Sequence, residues 1–138
     1  MDHILHASCV AVDGKAVLIT GPSGSGKSGL ALSLMAYGAE LVADDKTHLT
    51  QTPEGLWADC PDPIRGMIEA RGVGLLRARA VGPVPVALVV DMGQVETDRL
   101  PPRRETMVMD LPLPVVHKSE MSHFPAAILQ YLRSGRKA

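Results

Sequence analysis

Aromatic side chains are scarce in this chain: one Trp, two Tyr and one Phe in 138 residues, or 3%. So few rings leave little on which bases could stack. An excess of one charge is lacking too. Fourteen Lys and Arg against fifteen Asp and Glu give a net charge of −1, so no basic field recruits nucleic acid. There are two cysteines, Cys9 and Cys60, at no metal-ligand spacing, and both read as buried free thiols of a reducing cytoplasm. No apolar run approaches the length of a membrane span, and no charged-then-apolar leader opens the chain. These absences set aside a nucleic-acid binder, a disulfide-stapled secreted module and a membrane protein; the expected location is the cytoplasm. The bulk composition, 46% hydrophobic and 21% charged, fits one domain over residues 1–138 with a core of its own.

The informative segment is Gly21-Pro22-Ser23-Gly24-Ser25-Gly26-Lys27-Ser28, which fits G-x-x-x-x-G-K-[ST]. Ala16–Thr20 before it is a short apolar β-type run. Ser28–Tyr37 after it is helix-forming, with Leu30, Leu34 and Tyr37 at i, i+4 and i+7. A strand feeding a glycine loop that opens a helix aims successive backbone N–H groups at one point. Gly21, Gly24 and Gly26 permit the tight turns, and the helix N-terminus adds its partial positive charge. Lys27 can reach the β/γ-phosphates of a nucleoside triphosphate, and the Ser28 hydroxyl can bind Mg²⁺. A glycine-rich turn that binds nothing is the plainer alternative, and the strand–loop–helix context argues against it. The expected ligand is ATP or a related polyphosphate.

Around this loop the chain is rich in strands. Ile4–Val12 and Ala16–Thr20 flank Asp13-Gly14 as a hairpin. Gly38 is a helix stop, and Glu40–Ala43 is a short buried strand ending at Asp44-Asp45. Thr47–Thr52 and Leu56–Ala58 form a second hairpin, and Ile64–Ala70 a further strand. Val84–Val90 is a strand that Pro83 and Pro85 mark as an edge or a strand start. Residues 91–104 read as an exposed loop, Thr106–Met109 and Leu113–His117 as two short strands. From Ser122 to Leu132 runs a closing helix with Pro125 in its first turn and Ala127, Ile128, Tyr131 and Leu132 on one face; residues 133–138 are a flexible basic tail. Two helices and eight strands are too strand-rich for alternating βαβα units, where each parallel crossover needs its own helix. The expected class is strand-rich α/β.

A phosphate loop needs partners that position metal and handle a proton. Asp44 and Asp45 follow a strand and face opposite ways, so one carboxylate can approach the γ-phosphate while the other orients Mg²⁺. A turn or capping pair is the alternative. Taken together, His6-Ala-Ser8, the loop, Leu41-Val-Ala-Asp-Asp45 and Ile68-Glu-Ala-Arg-Gly-Val-Gly74 resemble, in order and spacing, the catalytic domain of HPr kinase/phosphorylase. The resemblance is strong from His3 to Gly74 and weaker through Asp98-Arg99-Leu100 to the end. It implies a P-loop kinase domain similar to the nucleotide-binding fold of phosphoenolpyruvate carboxykinase. It also implies an ATP- and Mg²⁺-dependent protein serine kinase acting on the phosphocarrier HPr of a bacterial phosphotransferase system, assembled as a homo-oligomer of six. By position, Gly21–Lys27 hold the phosphates, Ser28 and Glu69 bind the metal, and Asp45, with Asp44 beside it, takes the seryl proton. His6 matches an active-site histidine, and Arg99 an arginine on the transferring phosphate.

Each role has a plainer counterpart: a core or edge histidine for His6, a strand salt bridge for Glu69 with Arg71, a solvated charged loop for Arg99. The chain departs from the family in three places. The family's usual N-terminal domain is absent, Gly29 stands where Glu is common, and Val115-Val-His-Lys-Ser-Glu120 replaces the loop tied to dephosphorylation. Lys118 is the one fixed cation there, so the expected reverse phosphorolysis is weak. Two other readings stay open. One is a nucleotide-binding regulatory homologue with little catalysis. The other is a small-metabolite kinase in which Asp91, ending Val86-Ala-Leu-Val-Val90, is the metal carboxylate.

Overall fold

The structure, a computed structural model, describes residues 2–138. Its first hairpin, β2 (Ser8–Val12) and β3 (Lys15–Thr20), turns at Asp13 and Gly14, whose φ values of 52° and 74° give the two-residue turn that matches strand twist. Both strands are apolar on both faces because both faces are covered. Val10, Val12, Val17 and Ile19 pack with helix residues such as Leu34 and Ile128. Cys9, Ala11, Ala16 and Leu18 pack with Leu49, Leu56 and Ala58. The expected single strand Ile4–Val12 is in fact two. β1 (Asp2–Leu5) is exposed along most of its length and pairs with β5 instead of β3, so the chain bends at His6-Ala7 as it enters the core.

Helix α1 (Lys27–Ala36) ends at Gly38, where φ is 105°. The Gly38 N–H donates to Met35 O at 3.0 Å and the Ala39 N–H to Leu34 O at 3.1 Å, satisfying carbonyls the helix end would orphan. β4 (Glu40–Ala43), β5 (Thr47–Thr52) and β6 (Gly55–Asp59) follow as expected. The expected strand Ile64–Ala70 is shorter. A 3-10 turn over Asp62–Ile64 precedes it, Gly66 turns at φ 75°, and β7 (Met67–Ala70) then pairs with β8 (Gly74–Arg77) as a separate ribbon. Arg65 fastens the turn, bonding Asp59 Oδ1 at 2.8 Å and Cys60 O at 2.8 Å. Partial burial would raise the Asp59 carboxyl, but Arg65 and the Cys60 N–H outweigh it and hold the group below its usual range. Cys9 and Cys60 are buried and free, and burial pushes both thiols up.

β9 (Val84–Val95) bears on two expectations. It runs on to Val95, through the first part of the expected loop, and of the two readings of its prolines, edge or strand start, the second holds: the strand is central, pairing antiparallel with β6 and parallel with β3 and β11. Pro85 is tolerated because it sits at the strand start, beside Trp57. β10 (Arg104–Val108) and β11 (Leu111–Lys118) form a hairpin, and α2 (Phe124–Ser134) closes the chain. On α2, Ile128, Leu129 and Leu132 are buried while Ala127 is exposed, so the core face is rotated from the expected one. The helix reaches Ser134, and Arg103 bonds Arg136 O at 3.0 Å, so the last residues touch the 96–103 loop.

The nine-stranded sheet runs β1-β5-β6-β9-β3-β2-β4, with β11 on β9 and β10 on β11; the described residues hold eleven strands in all. This is the strand-rich α/β class expected. Within it, β3, β9 and β11 form a parallel core whose ends Thr20, Asp91 and His117 stand abreast. Among the described residues no helix is long and apolar enough to cross a membrane.

Candidate active site

The phosphate loop leaves the carboxyl end of β3 and enters α1 through Gly26, at φ 97°. Helix α1 has no side-chain cap and no acidic residue in its first turn, so its leading N–H groups face outward unopposed. Lys27 is folded onto its own loop, donating to Gly21 O at 2.8 Å and Pro22 O at 3.0 Å. Ser25 Oγ is buried without a hydrogen-bond partner. Gly21 is required by packing as well as by its φ of 140°: a Cβ there would stand 2.7 Å from Ser25 Oγ and 3.1 Å from the Met92 Cβ. An unopposed helix start, an unsatisfied inward hydroxyl and a lysine with only carbonyl partners fit a bound polyphosphate.

Asp44 joins the loop to three other elements. Its Oδ1 accepts from Ser28 Oγ at 2.6 Å and from Ser8 Oγ at 2.8 Å, and its Oδ2 accepts from the Glu69 N–H at 3.1 Å. The carboxylate is 8% exposed, so these donors replace water. Asp45, the next residue, turns outward. Its φ of 69° is left-handed, a region aspartate tolerates better than most residues, and it sends the two side chains apart. The Asp45 N–H lies 3.4 Å from Ser8 Oγ, and its Oδ1 is 2.5 Å from His6 Nε2. Both His6 and Asp45 are more than half exposed, at 53% and 62%, in reach of an incoming macromolecule.

His6, Ser8, Ser28, Asp44, Asp45 and the Glu69 backbone therefore belong to one bonded cluster, while Lys27, next to Ser28, bonds only within its own loop. The Glu69 side chain is exposed. Arg99 is not bonded into the cluster; it lies in the 96–101 loop, on the rim of a cavity under α2. Asp91 stands next to Thr20 but spends its carboxylate on its own strand, accepting from the Gly93 N–H at 2.8 Å and Gln94 Nε2 at 3.2 Å. Lys118 reaches back to Ser25 O at 3.5 Å, placing β11 against the phosphate loop. Among the described residues no three His, Cys, Asp or Glu side chains converge as a metal cage. The Ser28 and Asp44 oxygens, bonded to each other, could hold Mg²⁺, which keeps several waters and binds largely through phosphate oxygens.

Sequence reasoning gave no role to Ser8, Met92 or Gly93. Ser8 carried a usable signal: it is a hydroxyl two residues from His6, opening an otherwise apolar strand. Met92 and Gly93 carried none, because their contact with the loop depends on β9 running beyond Val90.

The family model for the HPr Serine kinase C-terminal domain matches residues 1–101. Over 77 residues the chain is 46% identical to an HPr kinase/phosphorylase of Stenotrophomonas maltophilia, covering 55% of this chain and 24% of that protein. Over 123 residues it is 38% identical to an HPr kinase/phosphorylase of Aromatoleum aromaticum, covering 79% of this chain and 39% of that one. The chain thus spans roughly a quarter to two fifths of the length of these relatives. The structure of an Hpr(Ser) kinase/phosphatase from Coxiella burnetii superposes with a TM-score of 0.78 at 25% identity, over 95% of this chain and 88% of that one. With a loop, an acidic pair and a fold that all agree, the chain belongs to the HPr serine kinase C-terminal domain family.

Proposed function

We propose that this chain is an ATP-dependent protein serine kinase whose acceptor is the phosphocarrier HPr, acting in the cytoplasm. The observation that carries the reading is the bonded path from the phosphate loop to an exposed acid: Ser28 to Asp44, Ser8 beneath both aspartates, and Asp45 projecting into the open with His6 upon it. The loop amides and Lys27 hold the phosphates once Lys27 exchanges the Gly21 and Pro22 carbonyls for phosphate oxygens. Ser28, with Asp44 and Glu69, would hold Mg²⁺, which would supply charge neutralisation at the β/γ-phosphates. Asp45 accepts the proton of the acceptor hydroxyl as its oxygen bonds to the γ-phosphorus and the bond from that phosphorus to the β–γ bridging oxygen breaks. His6 orients the Asp45 carboxylate and shares the proton it gains. Arg99 sits in a charged loop on the β9–β11 side, from which it can close on the transferring group.

The reverse, phosphate-dependent reaction is slow in this proposal. Residues 115–120 offer an attacking phosphate one fixed cation, Lys118, already turned to Ser25 O, with the exposed acid Glu120 two residues on. The test is incubation with HPr and ATP labelled at the γ-phosphate, followed by mapping of the modified residue, and the same assay run from phosphoserine-HPr with phosphate. Labelled phosphoserine on HPr supports the proposal. Tight ATP binding without transfer favours a regulatory nucleotide-binding homologue.

A further inference from the structure

A cavity of about 240 Å³ opens between α2, the ends of β9 and β11, and the 96–101 loop. Its inner wall is apolar and partly aromatic, formed by Leu88, Val116, Phe124, Ile128 and Tyr131. Phe124 and Tyr131 are two of only four aromatic residues in the chain. Its polar lining is Asp98, Arg99, His117 and Ser119, together with Glu96, whose carboxylate is held by Arg104.

The cavity shares a wall with the phosphate loop. His117 is abreast of Asp91, which is abreast of Thr20, the last residue before Gly21. Lys118, between the two rim residues His117 and Ser119, contacts Ser25 O within the loop. A ligand whose phosphates lie on Gly21–Ser28 can therefore extend across β9 into this cavity. Parallel strands present their ligand crevices at this carboxyl end. We propose that the cavity receives the nucleobase of the nucleoside triphosphate, a purine lying against Phe124 and Tyr131. This rests on the phosphate-loop reading given above and adds where the rest of the nucleotide goes. The volume is below the roughly 300–1,000 Å³ of sites that enclose a whole drug-sized ligand, and suits a base with ribose and phosphates outside. The apolar walls supply dispersion and area burial, and the two aromatic rings offer faces for the base.

Ala127 lines the cavity, is exposed, and bonds to nothing through its side chain, so larger residues there fill the space without disturbing core or loop. The experiment is calorimetric titration of the full chain, wild type, Ala127→Leu and Ala127→Trp, with ATP and with inorganic tripolyphosphate, each with Mg²⁺. Wild type is expected to bind ATP at least tenfold tighter than tripolyphosphate. Ala127→Leu should lose most of that advantage and Ala127→Trp all of it, with tripolyphosphate affinity unchanged within twofold. Equal affinity of wild type for the two ligands, or full ATP affinity in both variants, would refute the base pocket while leaving the phosphate loop intact. A second equivalent of tripolyphosphate lost in the variants would refute it too, showing an anion site. Binding of neither ligand by wild type would remove the phosphate-loop reading itself and this inference with it.

Discussion

Replacing Ser8 by alanine should damage both the stability of the fold and the rate of phosphoryl transfer. Ser8 is fully buried. Its hydroxyl donates to Asp44 Oδ1 at 2.8 Å and lies 3.4 Å from the Asp45 N–H. Alanine removes one oxygen and leaves almost no cavity, so the cost is that of a hydrogen bond to a charged group, about 1.5–3 kcal/mol. Asp44 keeps Ser28 and the Glu69 N–H, which puts the expected loss at the middle of that range, about 2 kcal/mol. For a chain of this length that is a fall in Tm of roughly 5–10 °C. Loading with nucleotide should sharpen the effect. When Ser28 turns its hydroxyl to Mg²⁺, Ser8 becomes the one side-chain donor still on Asp44 Oδ1. The freed Asp45 backbone would also relax from its left-handed φ of 69°. Ser8→Ala is therefore expected to lower kcat by about tenfold or more, as a loss of roughly 1.4 kcal/mol or more in the transition state does, with KM for ATP little changed. Ser8→Thr, which keeps the hydroxyl, should recover much of kcat. Urea melts at constant slope and steady-state kinetics on HPr measure the two effects. A variant within about 0.5 kcal/mol of wild type and with unaltered kcat would refute the idea that this hydroxyl holds the aspartate pair.

Lys27→Ala should abolish transfer and weaken ATP binding in a fluorescence titration, since the other cation on the loop, Lys118, reaches only Ser25 O at 3.5 Å; full activity would refute the assignment of the phosphates to this loop. Asp45→Asn should leave ATP affinity within a few-fold and cut transfer by about 10², whereas activity lost in Asp91→Asn and kept in Asp45→Asn would establish the metabolite-kinase reading. Asp59→Asn should destabilise at neutral pH by about 1 kcal/mol, the upper end for a partly exposed ion pair. Because the Asp59 carboxyl is held below its ordinary value when folded, the contribution of the pair is present above about pH 4, the unfolded value, and is lost as pH falls through the folded one. The gap in Tm between wild type and variant should therefore close on acidification, and a gap that stayed constant down to pH 2 would show that Arg65 does not act through charge.

Much of this architecture was legible because its signals are local. Asp13-Gly14 fixes a two-residue turn by conformational preference alone, and Gly38 stops α1 for the same reason. The loop Gly21–Ser28 and the pair Asp44-Asp45 announced themselves by residue type, and the structure bonds Ser28 to Asp44 across sixteen residues. Context decided the rest. Pro83 and Pro85 suggest an edge or a strand start because proline lacks a donor; β9 is central, and it is the strand start that accommodates the missing N–H. Residues 91–95 look like loop from composition, since Asp91, Gly93 and Gln94 are poor strand formers, but pairing with β11 carries them as strand. Arg99 is the residue on which the family pattern and the geometry meet least, because no contact in the structure ties that loop to Asp45.

The departure of β9 from its expected length has a consequence for the site. Had the strand ended at Val90, Met92 and Gly93 would not lie under the phosphate loop, and only Ser25 Oγ would crowd Gly21. As it is, Met92 Cβ and Gly93 N stand 3.1 and 3.2 Å from where a Gly21 side chain would begin. The same extension carries Asp91 into register with Thr20 and His117, so that three parallel strands end together. The surrounding sheet is otherwise antiparallel, and antiparallel hairpins do not gather strand ends of one polarity on one side. The β3–β9–β11 core does so. It brings the uncapped start of α1, the cation of Lys118 and the rim of the α2 cavity to one edge, while β2 and β4 deliver Ser8 and the aspartates from the other side of β3. In the proposed reaction, phosphate-binding and proton-handling groups would thus approach the loop from opposite flanks, the separation that in-line transfer between two ligands requires.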